Sequence, residues 1–191
     1  MDSALASQGP SSARATGLRA AQAAFAVGLL YAAISVYWGA GGTWLLDTVG
    51  SGLGKGHGGN ALVVFAVWLA VALKVIAAVL PLLAVTVDTS TGSRWPSLTR
   101  ARLIRGLTWI EAAILTGYGL VLTAVGLLVQ AGVVAASAGA DHRALEWHAY
   151  LWDPWFLVWG LLVTAALLRS RRLITGTRSR TGPATTGSKR R

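Results

Sequence analysis

Cysteine is absent from the 191-residue chain, which removes disulfide exchange, thiol catalysis and thiolate metal sites. Charge is scarce: 13% of residues are charged, with seven Asp and Glu in all. That composition, with 54% hydrophobic residues and a mean hydropathy of +0.56, excludes an ordinary soluble globule. Catalytic signatures are missing too: there is no serine elbow, no pair of catalytic carboxylates and no HExxH spacing. The three histidines lie outside the apolar runs, which argues against a bis-histidine haem inside a bundle. No internal repeat relates the two halves.

What is present is long apolar sequence. Four stretches, about Leu18 to Leu46, Ala61 to Val87, Leu107 to Val134 and Tyr150 to Leu168, approach or exceed the roughly 20 residues that cross a bilayer. They predict an all-α, four-helix transmembrane bundle spanning residues 18–174. It is flanked by a disordered tail over 1–17 and a disordered basic tail over 175–191. The first apolar run is longer than the core of a cleavable signal.

The net charge of +10 is a topology signal. Arg14 and Arg19 precede the first span. Arg94, Arg100, Arg102 and Arg105 lie between the second and third, and eight basic residues from Arg169 to Arg191 follow the fourth. Fourteen of the seventeen Lys and Arg therefore fall on one face, against Lys55 and Arg143 on the other, and both termini are predicted to be cytoplasmic. Juxtamembrane basic residues attract anionic lipid by about 1 kcal/mol each, and no nucleic-acid motif accompanies them.

The external loop "DTVGSGLGKGHGGN" is no phosphate cradle. Gly56 follows Gly54-Lys55 where Ser or Thr is needed, and Val49 occupies the position of the first glycine. In the first span Ala20, Ala24, Gly28 and Ala32 form a small-residue stripe for close helix packing. Tyr31, Ser35 and Trp38 occupy a neighbouring face. Tyr37, Trp38 and Trp44 suit an external aromatic belt, beside Gly39, Gly41 and Gly42. "WHAYLWDPWF" opens the fourth span on the same side, where Asp153-Pro154 reads as an N-cap and first helical residue.

One lysine, Lys74, interrupts "ALVVFAVWLAVALKVIAAVLPLLAV". An ionisable residue inside a span is a functional candidate because its burial is costly. Counting inward places it near the midplane. Glu111 is offset by about six residues, roughly 9 Å, toward the cytoplasm. Side chains lean toward their own helix N-terminus, so Lys74 and Glu111 lean apart and Lys74 leans toward Asp153. Three arrangements remain open: Lys74 with Glu111, Lys74 with Asp153, or Lys74 without an acid in a cavity. Tyr118 shares the Glu111 face and is a further member of such a polar cluster. His57, His142 and His148 with Asp47, Glu146 and Asp153 offer ligands for an external metal, though without dense spacing, so no metal or other cofactor is predicted.

"YWGAGGTWLLDTVG", Leu73-Lys74 and "LEWHAYLWDPWFLVWGLL" together resemble the domain-of-unknown-function-3995 family of bacterial membrane proteins, particularly its actinobacterial branch, over most of residues 25–170. The resemblance implies a small four-span inner-membrane protein. It carries over Tyr37, Trp38, Gly41, Gly42, Asp47, Lys74, Trp147, His148, Trp152, Asp153 and Pro154 as matching positions. Many relatives have a histidine before the Tyr-Trp pair where this chain has Ser35, so no histidine-dependent role transfers there. The family brings no activity, substrate or cofactor. Three functional readings follow. The first is an accessory protein binding membrane lipid, a membrane partner or a second copy through Lys74, Tyr37, Trp38, Trp152 and His148. The second is a small proton-coupled transporter using Lys74 with Glu111 or Asp153. The third is a membrane enzyme acting on lipid, with His148 and Asp153 as acid-base groups.

Overall fold

The structure, a computed structural model, describes residues 10–49, 61–86, 95–137 and 139–178. The side chains of Asp47, Val63 and residues 10–14, 95–98 and 171–178 fall outside that description. Most of the glycine loop, with Lys55 and His57, and the tail segments 1–9 and 179–191 also lie outside the described residues.

Every long described element is an α-helix. In chain order they are α1 (Pro10–Gly39), a 3-10 turn (Leu46–Val49), α2 (Ala61–Thr86), α3 (Trp95–Gln130), α4 (His142–Trp147), a π-turn (His148–Trp152) and α5 (Asp153–Arg178). Four stretches are long and apolar enough to cross a membrane: Ala15–Gly39, Val64–Thr86, Thr99–Gln130 and His142–Ser170. The chain is thus a four-helix transmembrane bundle. Its helices start earlier than predicted at Pro10 and run on to Arg178.

The first and third spans stop before the apolar sequence does, and glycine is the cause. Gly41 adopts φ +94°, with its N–H on the Trp38 carbonyl and that of Gly42 on the Tyr37 carbonyl. Gly132, at φ +73°, repeats this pattern with Val129 and Leu128 at the end of α3. Both are left-handed glycine caps that satisfy terminal carbonyls.

The start of the fourth span differs from the expectation. Asp153 is not an N-cap: its backbone is helical, and Asp141 caps instead, accepting the N–H groups of Arg143 and Ala144 at 3.0 and 3.3 Å. The helix continues from α4 into α5 through the π-turn. Pro154 has no N–H for the Tyr150 carbonyl and its ring crowds that turn. Local widening accommodates it, with the Asp153 N–H bonding to the His148 carbonyl.

Helix α5 is the centre of the bundle, packed against α1 on one side and α3 on the other, while α1 also packs along α2. The α2–α3 and α2–α5 junctions are much looser. Trp152 of the π-turn and Trp159, Val163 and Leu167 of α5 are buried in one core. The predicted small-residue stripe of α1 is buried, and a Cβ at Gly28 would collide with Trp159 and Ala78. Glycine also sets the α3–α5 approach: Gly119 faces the backbone of Leu157, and Gly160 faces Thr116. Near the chain termini, Arg105 donates to the Ala84 carbonyl (3.3 Å) and the Ser170 hydroxyl (3.2 Å), tying three helices together.

Candidate functional site

Lys74 projects from α2 toward that helix's N-terminus, the direction helical geometry imposes. Its ammonium donates to the Ser35 hydroxyl at 2.6 Å and lies 4.3 Å from the centroid of the Tyr31 ring. Ser35 and Tyr31 are neighbours on α1 because they are four residues apart, and the Ser35 hydroxyl donates in turn to the Tyr31 carbonyl at 3.2 Å. Among the described residues no carboxylate comes within 4.0 Å of the ammonium. Lys74 is therefore half-buried against a hydroxyl and an aromatic face.

Lys74 stands at the middle of α2 (Ala61–Thr86), and its side chain reaches from there toward the N-terminal half of that helix. Ser35 is one helical turn, about 6 Å, from the end of α1 at Gly39. The ammonium is thus displaced from the middle of α2 toward the end of the bundle that carries the α1–α2 and α3–α4 connections, here termed the loop end.

Glu111 lies far from it. The contacts of Gly160 with Thr116 and of Gly119 with Leu157 fix the register of α3 against α5, and this places Glu111 opposite Ala165. Ala165 and Ala166 pack with Ala20 and Ala21 of α1. From Ala20 to Ser35 along α1 is roughly 20 Å, so Lys74 and Glu111 cannot pair. Both Glu111 carboxylate oxygens are buried and have no hydrogen-bond partner. Tyr118, predicted on the Glu111 face, stands about two turns farther along α3; half-exposed, it packs on Phe156 at 5.4 Å between ring centroids.

Asp153 is level with Lys74 but turned away. Its buried carboxylate meets His148 Nδ1 at 3.2 Å. Tyr31 fills the space between α2 and the start of α5, with its ring 6.0 Å from both Trp152 and Trp155 and 4.9 Å from Phe156. Trp155 also donates to the Val27 carbonyl at 3.2 Å, locking α5 to α1.

The aromatic cluster predicted from the end of the first span and the start of the fourth is assembled. Trp38 and Trp152 stack edge-on at 5.5 Å. The two rings have different surroundings. Trp152 is buried and donates to Thr48 Oγ at 3.1 Å, whereas Trp38 donates to the Trp44 carbonyl at 2.8 Å and stays half-buried. Tyr37 is exposed, its hydroxyl accepting the Trp44 N–H at 3.4 Å while its ring covers Gly42. Trp44, 66% exposed, is the ring that reaches outward.

The sequence therefore gave every member of this cluster except Thr48, whose spacing from Trp152 carries no local signal. Ser35 and Tyr31 were visible as one helical face, but not as partners of Lys74. Among the described residues, no three His, Asp or Glu side chains converge as a metal site. Asp47 (side chain) and His57 lie outside the described residues.

Fold and site define a multi-pass membrane protein: a four-span bundle in which Lys74 meets a hydroxyl and an aromatic face and, among the described residues, no carboxylate. The family model described as "Protein of unknown function (DUF3995)" matches residues 28–163, and the chain belongs to that family. No curated protein and no solved structure matches the chain.

Proposed function

We propose that the protein is a lipid-binding accessory protein of the bacterial plasma membrane, with both termini cytoplasmic and the loop end facing outward. Its site holds the anionic head of a membrane lipid on the Lys74 ammonium. The observation that carries this reading is the surroundings of Lys74: among the described residues no carboxylate lies within ion-pairing distance, and the ammonium is turned toward the loop end, on Ser35 about one turn below the end of α1. A lysine stem carries its ammonium toward headgroup oxygens, and an ammonium in hydrocarbon favours acquiring an anionic partner. Leu73, Val75 and Ile76, next to Lys74 on α2, are exposed and offer an apolar flank for an acyl chain.

The basic excess on the opposite face supports the orientation. The separation of Lys74 from Glu111 lends no support to a paired transport site, and the His148–Asp153 pair has no nucleophile bonded to it.

Native mass spectrometry of the protein gently extracted from its own membrane tests the reading. A discrete lipid should be retained by the wild-type chain, kept in Lys74→Arg and lost in Lys74→Met. Equal retention in all three would overturn it.

A further inference from the structure

The donors and acceptors around Lys74 restrict the chemistry of the head that the proposed lipid site accepts, an inference that rests on that reading. An ammonium has three N–H donors and no acceptor. One donor meets the Ser35 oxygen and the Tyr31 face takes a second direction, which leaves one donor with no acceptor among the described residues. The Ser35 proton is already committed to the Tyr31 carbonyl. The site thus offers one charged N–H, suited to a single oxyanion rather than to bidentate recognition.

Among the described residues, no carboxylate lies beside the ammonium to receive a ligand's own positive charge. Asp153 is bonded to His148 behind Tyr31, and Glu111 is roughly 20 Å away along the bundle. A headgroup carrying an amine would bring that amine toward Lys74 with no carboxylate among the described residues to receive it. In a low-dielectric setting like charges repel strongly.

We infer that the site selects an acyl lipid whose head is a singly charged oxyanion without an amine: a phosphodiester to an uncharged alcohol, or a fatty-acid carboxylate. Selectivity comes from the missing counter-acid as much as from the lysine itself, since specificity is a difference between two affinities.

Competition in phosphatidylcholine nanodiscs tests this. The full-length protein would be incubated with phosphatidylglycerol and phosphatidylethanolamine of identical acyl chains, and separately with oleate, and retained lipid read by native mass spectrometry. The wild-type chain should prefer phosphatidylglycerol over phosphatidylethanolamine by about tenfold or more, with the preference kept in Lys74→Arg and abolished in Lys74→Met. The wild-type comparison stands by itself should Lys74→Met fail to fold. Displacement of phosphatidylglycerol by oleate supports the oxyanion rule and assigns the natural head to a carboxylate; failure to displace assigns it to a phosphodiester. Lys74-dependent retention of both phospholipids without preference would overturn this inference and leave lipid binding intact. Retention independent of Lys74 would overturn both.

Discussion

The indole nitrogen of Trp152 and the hydroxyl of Thr48 meet at 3.1 Å, across 104 residues of sequence and with both side chains buried. Thr48 also donates to the Leu45 carbonyl at 2.6 Å, so one hydroxyl closes the 3-10 turn and docks it on the π-turn that leads into α5. Thr48→Val preserves the shape but leaves a buried N–H without an acceptor. The expected cost is about 1–3 kcal/mol, read as a lower unfolding temperature in detergent, with Thr48→Ser close to wild type. An unchanged transition in the valine variant would show that the bond does not hold the turn.

Glycines at the helix contacts should separate into two groups. Alanine at Gly119 or Gly160 drives a methyl into the backbone of the facing helix and should destabilise the bundle clearly. At Gly106 and Gly117 nothing lies within 4 Å, so alanine there should be neutral or stabilising by up to about 1 kcal/mol from helix propensity. Equal losses at all four positions would contradict the α3–α5 register.

Glu111 places two acceptor oxygens in the interior without partners. Replacing it by leucine removes the desolvation cost while filling a similar volume, and should raise thermal stability by about 1–3 kcal/mol. A marked fall in the melting temperature would instead mean that the carboxyl meets a bound donor in the membrane.

The His148–Asp153 pair spans the π-turn, which begins at His148 and is followed directly by Asp153. Asp153→Leu should loosen that turn and accelerate hydrogen exchange at the amides of residues 148–153, with little change in the lower half of α5. Asp153→Asn, which keeps an acceptor, should fall between. Uniform protection across the three proteins would show that Pro154 alone maintains the turn.

Membrane class and span number were legible because both depend on local quantities. An apolar run either is long enough for a bilayer or is not, and Gly28 within a small-residue stripe faces a neighbour wherever that neighbour lies. The stops at Gly39 and Gln130 were marked by Gly41 and Gly132, though the apolar residues beyond them extended the predicted spans. The fourth span was harder to delimit. Asp153-Pro154 has the form of a helix start, but proline is equally accommodated by a widened turn within a helix, and only the backbone path distinguishes the two.

The sequence by itself determined the four-span helical bundle, the small-residue contact face and Lys74 as the charged residue within the second span. It also determined the direction in which that side chain leans, which follows from helix geometry alone. The tertiary structure decided what Lys74 meets. Each residue of axial offset moves a side chain about 1.5 Å along the helix and about 100° around it, so modest boundary errors on two helices change both depth and facing. That compounding makes an apparent 9 Å offset between Lys74 and Glu111 roughly 20 Å. It leaves Ser35 and Tyr31, rather than either acid, against the ammonium.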